Sequence, residues 1–287
     1  MRISKLFKTK KVLSFEIFPP RQNDSVSTIY STIDELRGLN PDFISVTYGA
    51  GGSENKTKTL KIASDVKNVY GIESVAHLPC INLTKEDVSN MLNGLKNDGV
   101  ENILALRGDI NPEYTPKNDF IYASDMITFI RENSDFNIIG ACYPEGHKEC
   151  LNLVDDIRNL KVKVDAGTNQ LITQLFFDNS HFYSFRERAA IAGINVPIEA
   201  GIMPVVNRKQ IERMVSLCGV TLPKKFLSIM GKYDNNPEAL CDAGIAYAID
   251  QIVDLIAQDV DGIHLYTMNK PYIAQRIYSA INTLLAA

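Results

Sequence analysis

No apolar run in this chain approaches the roughly 20 residues that a membrane-spanning helix needs, so no membrane partner is expected. An excess of one charge is missing too: 30 basic and 34 acidic residues, net −4, are spread along the sequence. Without a basic stripe, a nucleic-acid partner is not expected. The five cysteines, Cys80, Cys142, Cys150, Cys218 and Cys241, are odd in number and include no CxxC pair. At this size, and with no export signal, that pattern reads as reduced thiols in a cytoplasmic protein. His77-x-x-Cys80 and His147-x-x-Cys150 each offer two metal ligands, but neither has a second pair nearby, and no metal site is expected. The glycine-rich GxGxxG turn of a dinucleotide-binding sheet is absent as well. After the first strand-like run the chain reads Pro19-Pro20-Arg21-Gln22-Asn23, and the cluster Gly49-Ala50-Gly51-Gly52 follows the second run with the wrong spacing.

What the chain does have is a steady alternation. With 287 residues and 45% apolar composition it can bury a large core. Short runs rich in Ile, Val, Phe and Leu predict strands at Val12–Phe18, Phe43–Tyr48, Ser74–Leu78, Ile103–Leu106, Ile138–Tyr143, Gln170–Leu175, Pro197–Met203 and Gly262–Thr267. Amphipathic stretches lie between them, among them Val26–Arg37 after Asp24-Ser25, Lys85–Lys96 and Cys150–Val164. Thr84 is placed to cap the second of these, with Asp87 completing a capping box. Gly38, Gly99 and Gly167 fall where helices should stop. Eight strand–helix repeats predict a single-domain α/β fold, a (β/α)8 TIM barrel over residues 12–287. The stretch Pro223–Asp259 is longer than one helix needs and predicts an extra helical segment before the last strand. Residues 1–11 hold Arg2, Lys5, Lys8, Lys10 and Lys11 and read as a basic, solvated N-terminal arm.

In such a barrel the reactive groups sit at the C-terminal ends of the strands. Those ends carry Glu16, Thr47, His77, Arg107 with Asp109, Tyr143, Gln174 and Tyr266, with Met203-Pro204 closing the seventh strand. The opposite ends, including Val12, Phe43, Ile103 and Ile138, carry no ionisable group. Period-two alternation puts Glu16 on a face with Ser14, Thr47 with Ser45, His77 with Val75, and Arg107 and Asp109 with Ala105, a small inward residue expected to leave room in the barrel. Desolvation favours the protonated form of a carboxyl set among apolar walls, which suits a general acid. Plainer readings exist for each residue. Glu16 can pair with Arg107 as a buried ion pair, and His77 can be a hydrogen-bonded core residue. Asp109 can cap the turn before Asn111-Pro112. Asp156 and Lys163, seven residues apart, can belong to a solvated helix stripe.

Seven segments in order change the balance. They are Phe15-Glu16-Ile17-Phe18-Pro19-Pro20, Val46-Thr47-Tyr48-Gly49-Ala50, His77-Leu78-Pro79-Cys80, Ala105-Leu106-Arg107-Gly108-Asp109, Tyr143-Pro144-Glu145-Gly146-His147, Lys163-Val164-Asp165-Ala166-Gly167 with Ile172-Thr173-Gln174, and Gly201-Ile202-Met203-Pro204. Together they resemble the methylenetetrahydrofolate reductase family, a family of flavoprotein (β/α)8 barrels, over nearly the whole chain. The resemblance implies reduction of 5,10-methylenetetrahydrofolate to 5-methyltetrahydrofolate by a ping-pong mechanism that feeds methionine synthesis. FAD would be the cofactor and NADH or NADPH the co-substrate. It implies Glu16 as the general acid for folate N10 and Asp109 as the residue that tunes the flavin and contacts the pterin. Thr47, His77, Arg107, Gly108, Asp109, Tyr143, His147, Asp156 and Lys163 match FAD-binding positions. Glu16, Asp109, Gln174, Gln210 and Lys270 match the folate side. Met214 stands where bacterial members carry a stacking phenylalanine, and Lys270 where they carry an arginine. A homo-oligomer is implied, and no S-adenosylmethionine control is expected within this chain. The competing expectations are a non-redox barrel, such as a Schiff-base aldolase with Lys270 as the nearest lysine, and a barrel that needs a partner subunit for electrons.

Overall fold

A computed structural model of the chain describes residues 1–20, 26–48, 53–109 and 116–286. The helix cap expected at Asp24-Ser25, the glycine cluster at 49–52 and the Asn111-Pro112 turn lie outside the described residues. Eight parallel strands close into a barrel in sequence order. They are β1 (Val12–Ile17), β2 (Phe43–Val46), β3 (Glu73–Pro79), β4 (Asn102–Leu106), β5 (Asn137–Cys142), β6 (Gln170–Thr173), β7 (Ile198–Ile202) and β8 (Gly262–Tyr266). Closure is made by β1 against β8, with Ser14 opposite His264 and Glu16 opposite Tyr266. The expected (β/α)8 barrel is therefore the fold.

The helices wrap this barrel: α1 (Val26–Arg37), α2 (Ser53–Asn68), α3 (Lys85–Asn97), α4 (Ala123–Asn133), α5 (Leu153–Asp165), α6 (Asn179–Ile191), α7 (Arg208–Cys218), α8 (Lys224–Lys232), α9 (Pro237–Ala257) and α10 (Pro271–Leu285). Helix α8 is the extra helical segment. At α3 the Thr84 hydroxyl accepts from Asp87 N and the Asp87 carboxylate accepts from Thr84 N, the reciprocal capping box. Among the described residues no helix is long and apolar enough to cross a membrane.

Buried residues such as Phe15, Ile17, Ile44, Val46, Ile103, Leu171, Ala200 and Ile263 pack against the helices in the main core. A separate apolar cluster fills the barrel floor: Val12, Phe43, Val75, Leu104, Ile139 and Ile172, together with Ile3. That last residue corrects the reading of the N-terminus. Ile3–Lys8 is a 3-10 helix, and Ile3 is fully buried beneath the barrel. Its amide donates to Asn102 Oδ1 at 3.0 Å, and the Met1 ammonium pairs with Glu73 and Glu101. The lysines face water, but the segment plugs the floor, because one isoleucine among them has an apolar hole to fill.

Strand β4 brings a second correction. Leu104 lies in the inner cluster, whereas Ala105 packs with Ile103 in the outer core. Ala105 therefore faces the helices and leaves no room inside the barrel. Strands apolar on both faces carry no alternation to reveal which face is inward.

Candidate active site

Glu16 ends the inward row of β1, above Ser14, and is buried. Its Oε2 lies 3.7 Å from His77 Nε2 on β3 and 3.7 Å from His264 Nε2 on β8. The His77 imidazole is lowered to about 4 by burial, partly opposed by the Glu16 charge, so it is neutral at physiological pH. His77 Nε2 and Thr47 Oγ1 are buried polar atoms without a hydrogen-bond partner in the protein. Unpaired buried polar atoms cost free energy, and these two, one of them 3.7 Å from the buried Glu16 carboxyl, mark a place where a polar ligand completes the bonding.

The backbone around Glu16 is clamped from the turn that follows β8. Thr267 Oγ1 donates to Glu16 O at 2.6 Å. Asn269 accepts from Phe18 N and donates to Phe18 O, both at 2.9 Å. Met268 and Asn269 both hold left-handed backbone, at φ 53° and 54°, to aim that amide. Arg107 does not pair with Glu16. Its guanidinium makes a two-point bridge to Glu149, at 2.5 and 2.7 Å, and this holds the Glu149 carboxyl down at about 2. Gly108 follows at φ 87°, and a Cβ there would lie 2.9 Å from Pro79 Cβ. Only glycine fits so close to the turn after β3.

A second cluster forms over β5. Tyr143 and His147 meet edge to face with ring centroids 4.7 Å apart, and His147 N donates to Asp156 Oδ1 at 3.0 Å. Lys163 Nζ donates to Ala141 O at 2.7 Å and sits 6.0 Å from the Tyr143 ring centre. Burial pulls the Lys163 ammonium below its usual value and pushes the Tyr143 phenol up to about 12. Asp156 is buried, so it and Lys163 are not a solvated stripe.

The remaining site residues are less gathered. Asp109 is exposed at the end of the β4 loop. Gln174 is partly buried and accepts from Leu175 N at 2.9 Å. Gln210 is turned onto its own loop, donating to Pro204 O and accepting from Val206 N. Met214 is buried in an apolar pad with Leu175, Phe177, Met203 and Val205. Lys270 is exposed where α10 begins.

Solved structures share this architecture. An uncharacterized protein from Clostridium thermocellum, described as binding two copies of 5-methyl-5,6,7,8-tetrahydrofolic acid, superposes with a TM-score of 0.69 over the full length of both chains at 14% identity. Tryptophan synthase from M. tuberculosis gives 0.57 at 12% identity, covering 99% of this chain and 97% of that one. At such identities the likeness is one of fold. The family model for methylenetetrahydrofolate reductase matches residues 2–282. The chain belongs to the methylenetetrahydrofolate reductase family. The 5,10-methylenetetrahydrofolate reductases of Pectobacterium carotovorum and Escherichia coli K12 are each 38% identical to it over 272 residues. The matches cover 95% of this chain, 89% of the first protein and 90% of the second.

For this member of the methylenetetrahydrofolate reductase family, the structure adds residues that reading the strand ends passes over. Glu199 on β7 and His264 on β8 are fully buried inside the barrel, one layer or more below the mouth. Gly262 makes space for the first, since a Cβ there would lie 2.9 Å from Glu199 Cγ. Each is a lone polar residue in an apolar strand, a signal visible in Ile198-Glu199-Ala200 and Ile263-His264-Leu265. Glu149 and Asn269 lie in loops, and nothing in their sequence surroundings marks them.

Proposed function

We propose that this protein reduces 5,10-methylenetetrahydrofolate to 5-methyltetrahydrofolate, with FAD as carrier and NADH or NADPH as the source of electrons, by a ping-pong sequence. The observation that carries the reading is Glu16, a buried carboxyl at the barrel mouth, with the partnerless His77 Nε2 3.7 Å away and a second partnerless atom, Thr47 Oγ1, just past the end of neighbouring β2. The methylene carbon of the substrate bridges N5 and N10. Glu16 donates its proton to N10, which turns that nitrogen into a better leaving group and opens the ring to an N5 iminium. A flavin held here would supply hydride chemistry for the methylene carbon, with NADH or NADPH as the source.

The residues present suit a dinucleotide cofactor. Thr47 and His77 offer the two unpaired polar atoms, and the turn at Gly108 lets backbone approach closely. Arg107 and Lys163 supply cationic donors for a diphosphate, and Asp156 an acceptor for ribose hydroxyls. Tyr143 and His147 line the same side. The negative charge of Asp109 disfavours an anionic reduced flavin and so favours hydride donation. Gln174, Gln210 and Lys270 serve the folate. Gln210 reaches it by giving up one of its two loop bonds. Lys270 meets the glutamate tail as a point charge, and Met214 covers the pterin side as flexible apolar surface rather than a stacking ring. The reading extends to a cytoplasmic homo-oligomer.

An anaerobic visible spectrum of the purified protein tests this. A flavin band that bleaches with NADH or NADPH and returns on adding methylenetetrahydrofolate supports it. A colourless protein that takes up no added FAD overturns it.

A further inference from the structure

Beneath the mouth lies a line of side chains that the reaction above does not use. Glu199 Oε1 is 2.8 Å from Ser14 Oγ, and Glu199 Oε2 accepts from Gln170 Nε2 at 3.3 Å. Ser14 Oγ is also 2.7 Å from His264 Nδ1. The other ring nitrogen, His264 Nε2, faces Glu16 Oε2 at 3.7 Å and Ser45 Oγ at 3.5 Å. Glu199, Ser14, His264 and Glu16 thus run from the barrel's centre to its mouth. Every link but the last is a hydrogen bond, and a shift of roughly 1 Å closes that one.

Ser14 has one proton and stands between two partners, so it can donate to only one of them. If Glu199 is ionised, Ser14 donates to it and His264 carries its proton on Nδ1. The Nε2 lone pair then faces a protonated Glu16. If Glu199 is protonated, it donates to Ser14 and Ser14 donates to Nδ1. His264 then points Nε2–H at an ionised Glu16. Both arrangements hold the same number of protons.

We infer that Glu199 and Glu16 share one proton through Ser14 and His264, so that Glu199 is the internal acid that supplies the proton Glu16 gives to the folate. In the transfer the Glu199 O–H bond breaks and its proton joins Ser14 Oγ. The Ser14 proton passes to His264 Nδ1, and the Nε2 proton passes to Glu16. Solvent returns one proton along the same path once the mouth is open.

The surroundings suit this use. Burial, reinforced by the charges of Asp42 and Asp261 and opposed by the bonds from Ser14 and Gln170, raises Glu199 to about 8, so it holds a proton at neutral pH. His77, on the far side of Glu16, is lowered to about 4, so it is neutral and holds no proton beyond its one ring N–H. Tyr266, opposite Glu16 in the sheet, is raised well above its ordinary value by burial.

The inference rests on the acid role proposed for Glu16, so the test reads both. Glu199→Gln, of the same shape, is expected to slow oxidation of the reduced enzyme by methylenetetrahydrofolate by about tenfold or more, with reduction by NADH unchanged. Infrared difference spectra of the wild type should show a buried carboxylic-acid stretch titrating near pH 8. That band should be missing in Glu199→Gln, and its midpoint should move in Glu16→Gln. A wild-type folate rate in Glu199→Gln, or a midpoint indifferent to Glu16→Gln, overturns the inference. If the wild type itself fails to oxidise with folate, the proposed function falls while the infrared titration still decides whether the proton is shared. Should Glu199→Gln not fold, Ser14→Ala breaks the same line, and a wild-type folate rate in that variant overturns the inference equally.

Discussion

Replacing Glu199 by glutamine removes a buried acid while keeping its shape, and the effect on stability can be worked out. In the folded protein this carboxyl is raised to about 8 from an ordinary 4.5, mainly by burial. Between those values the folded chain holds a proton that the unfolded chain has released. Stability therefore falls as pH rises across the window, by roughly 1.4 kcal/mol per pH unit and about 5 kcal/mol in all. About half of that loss falls between pH 5 and pH 7, and it levels off above the folded value. His77 tilts the profile the opposite way. Its folded value of about 4 lies below the ordinary 6.5, so acid favours the unfolded chain there. That contribution is common to both proteins and cancels in the difference. Urea unfolding of wild type and Glu199→Gln at matched ionic strength from pH 5 to 8 isolates the term. The wild-type midpoint should fall with pH relative to the variant, with equal m-values. Parallel profiles would refute the reasoning, because they would mean that Glu199 titrates alike folded and unfolded.

Three other perturbations probe the frame around the site. Gly108→Ala forces an L-residue to φ 87° and drives a Cβ against Pro79. It should destabilise by roughly 2–4 kcal/mol and weaken flavin retention, and an unchanged Tm would contradict the close approach. Asn269→Ala breaks both bonds to the Phe18 backbone and should destabilise by roughly 1–3 kcal/mol. Its folate half-reaction should suffer more than flavin reduction, and equal losses in both would deny that the clamp acts through Glu16. His77→Gln removes an imidazole that protonates near 6.5 in the unfolded chain but only near 4 in the folded one. The variant should lack about 3 kcal/mol of that acid-induced destabilisation, which unfolding curves across this range will show or exclude.

The strands were legible because each is a short run buried on both faces, and the closed barrel followed from their alternation with helices. The capping box at Thr84 was legible for a local reason, since both partners lie within four residues. What could not be read depends on distance along the chain or on direction within a strand. Ile3 sits among lysines, and only the hole beneath Val12, Phe43 and Val75 explains its burial. Ala105 faces outward, because an all-apolar strand does not say which way its residues point. Arg107 finds Glu149 across 42 positions instead of Glu16. Glu199 and His264 were in plain view as lone polar residues in apolar strands. Attention to the strand ends passed over them, since both act from the middle of the barrel.

The acid role of Glu16 is the centre of the account, and rapid mixing measures it most directly. Wild type and Glu16→Gln would each be reduced with NADH and then mixed anaerobically with methylenetetrahydrofolate while the flavin absorbance is followed. Reduction should proceed at similar rates in both proteins, and reoxidation by the folate should slow by about 100-fold or more in the variant. Reoxidation of Glu16→Gln at the wild-type rate would contradict the account, since the proton for N10 would then come from another group.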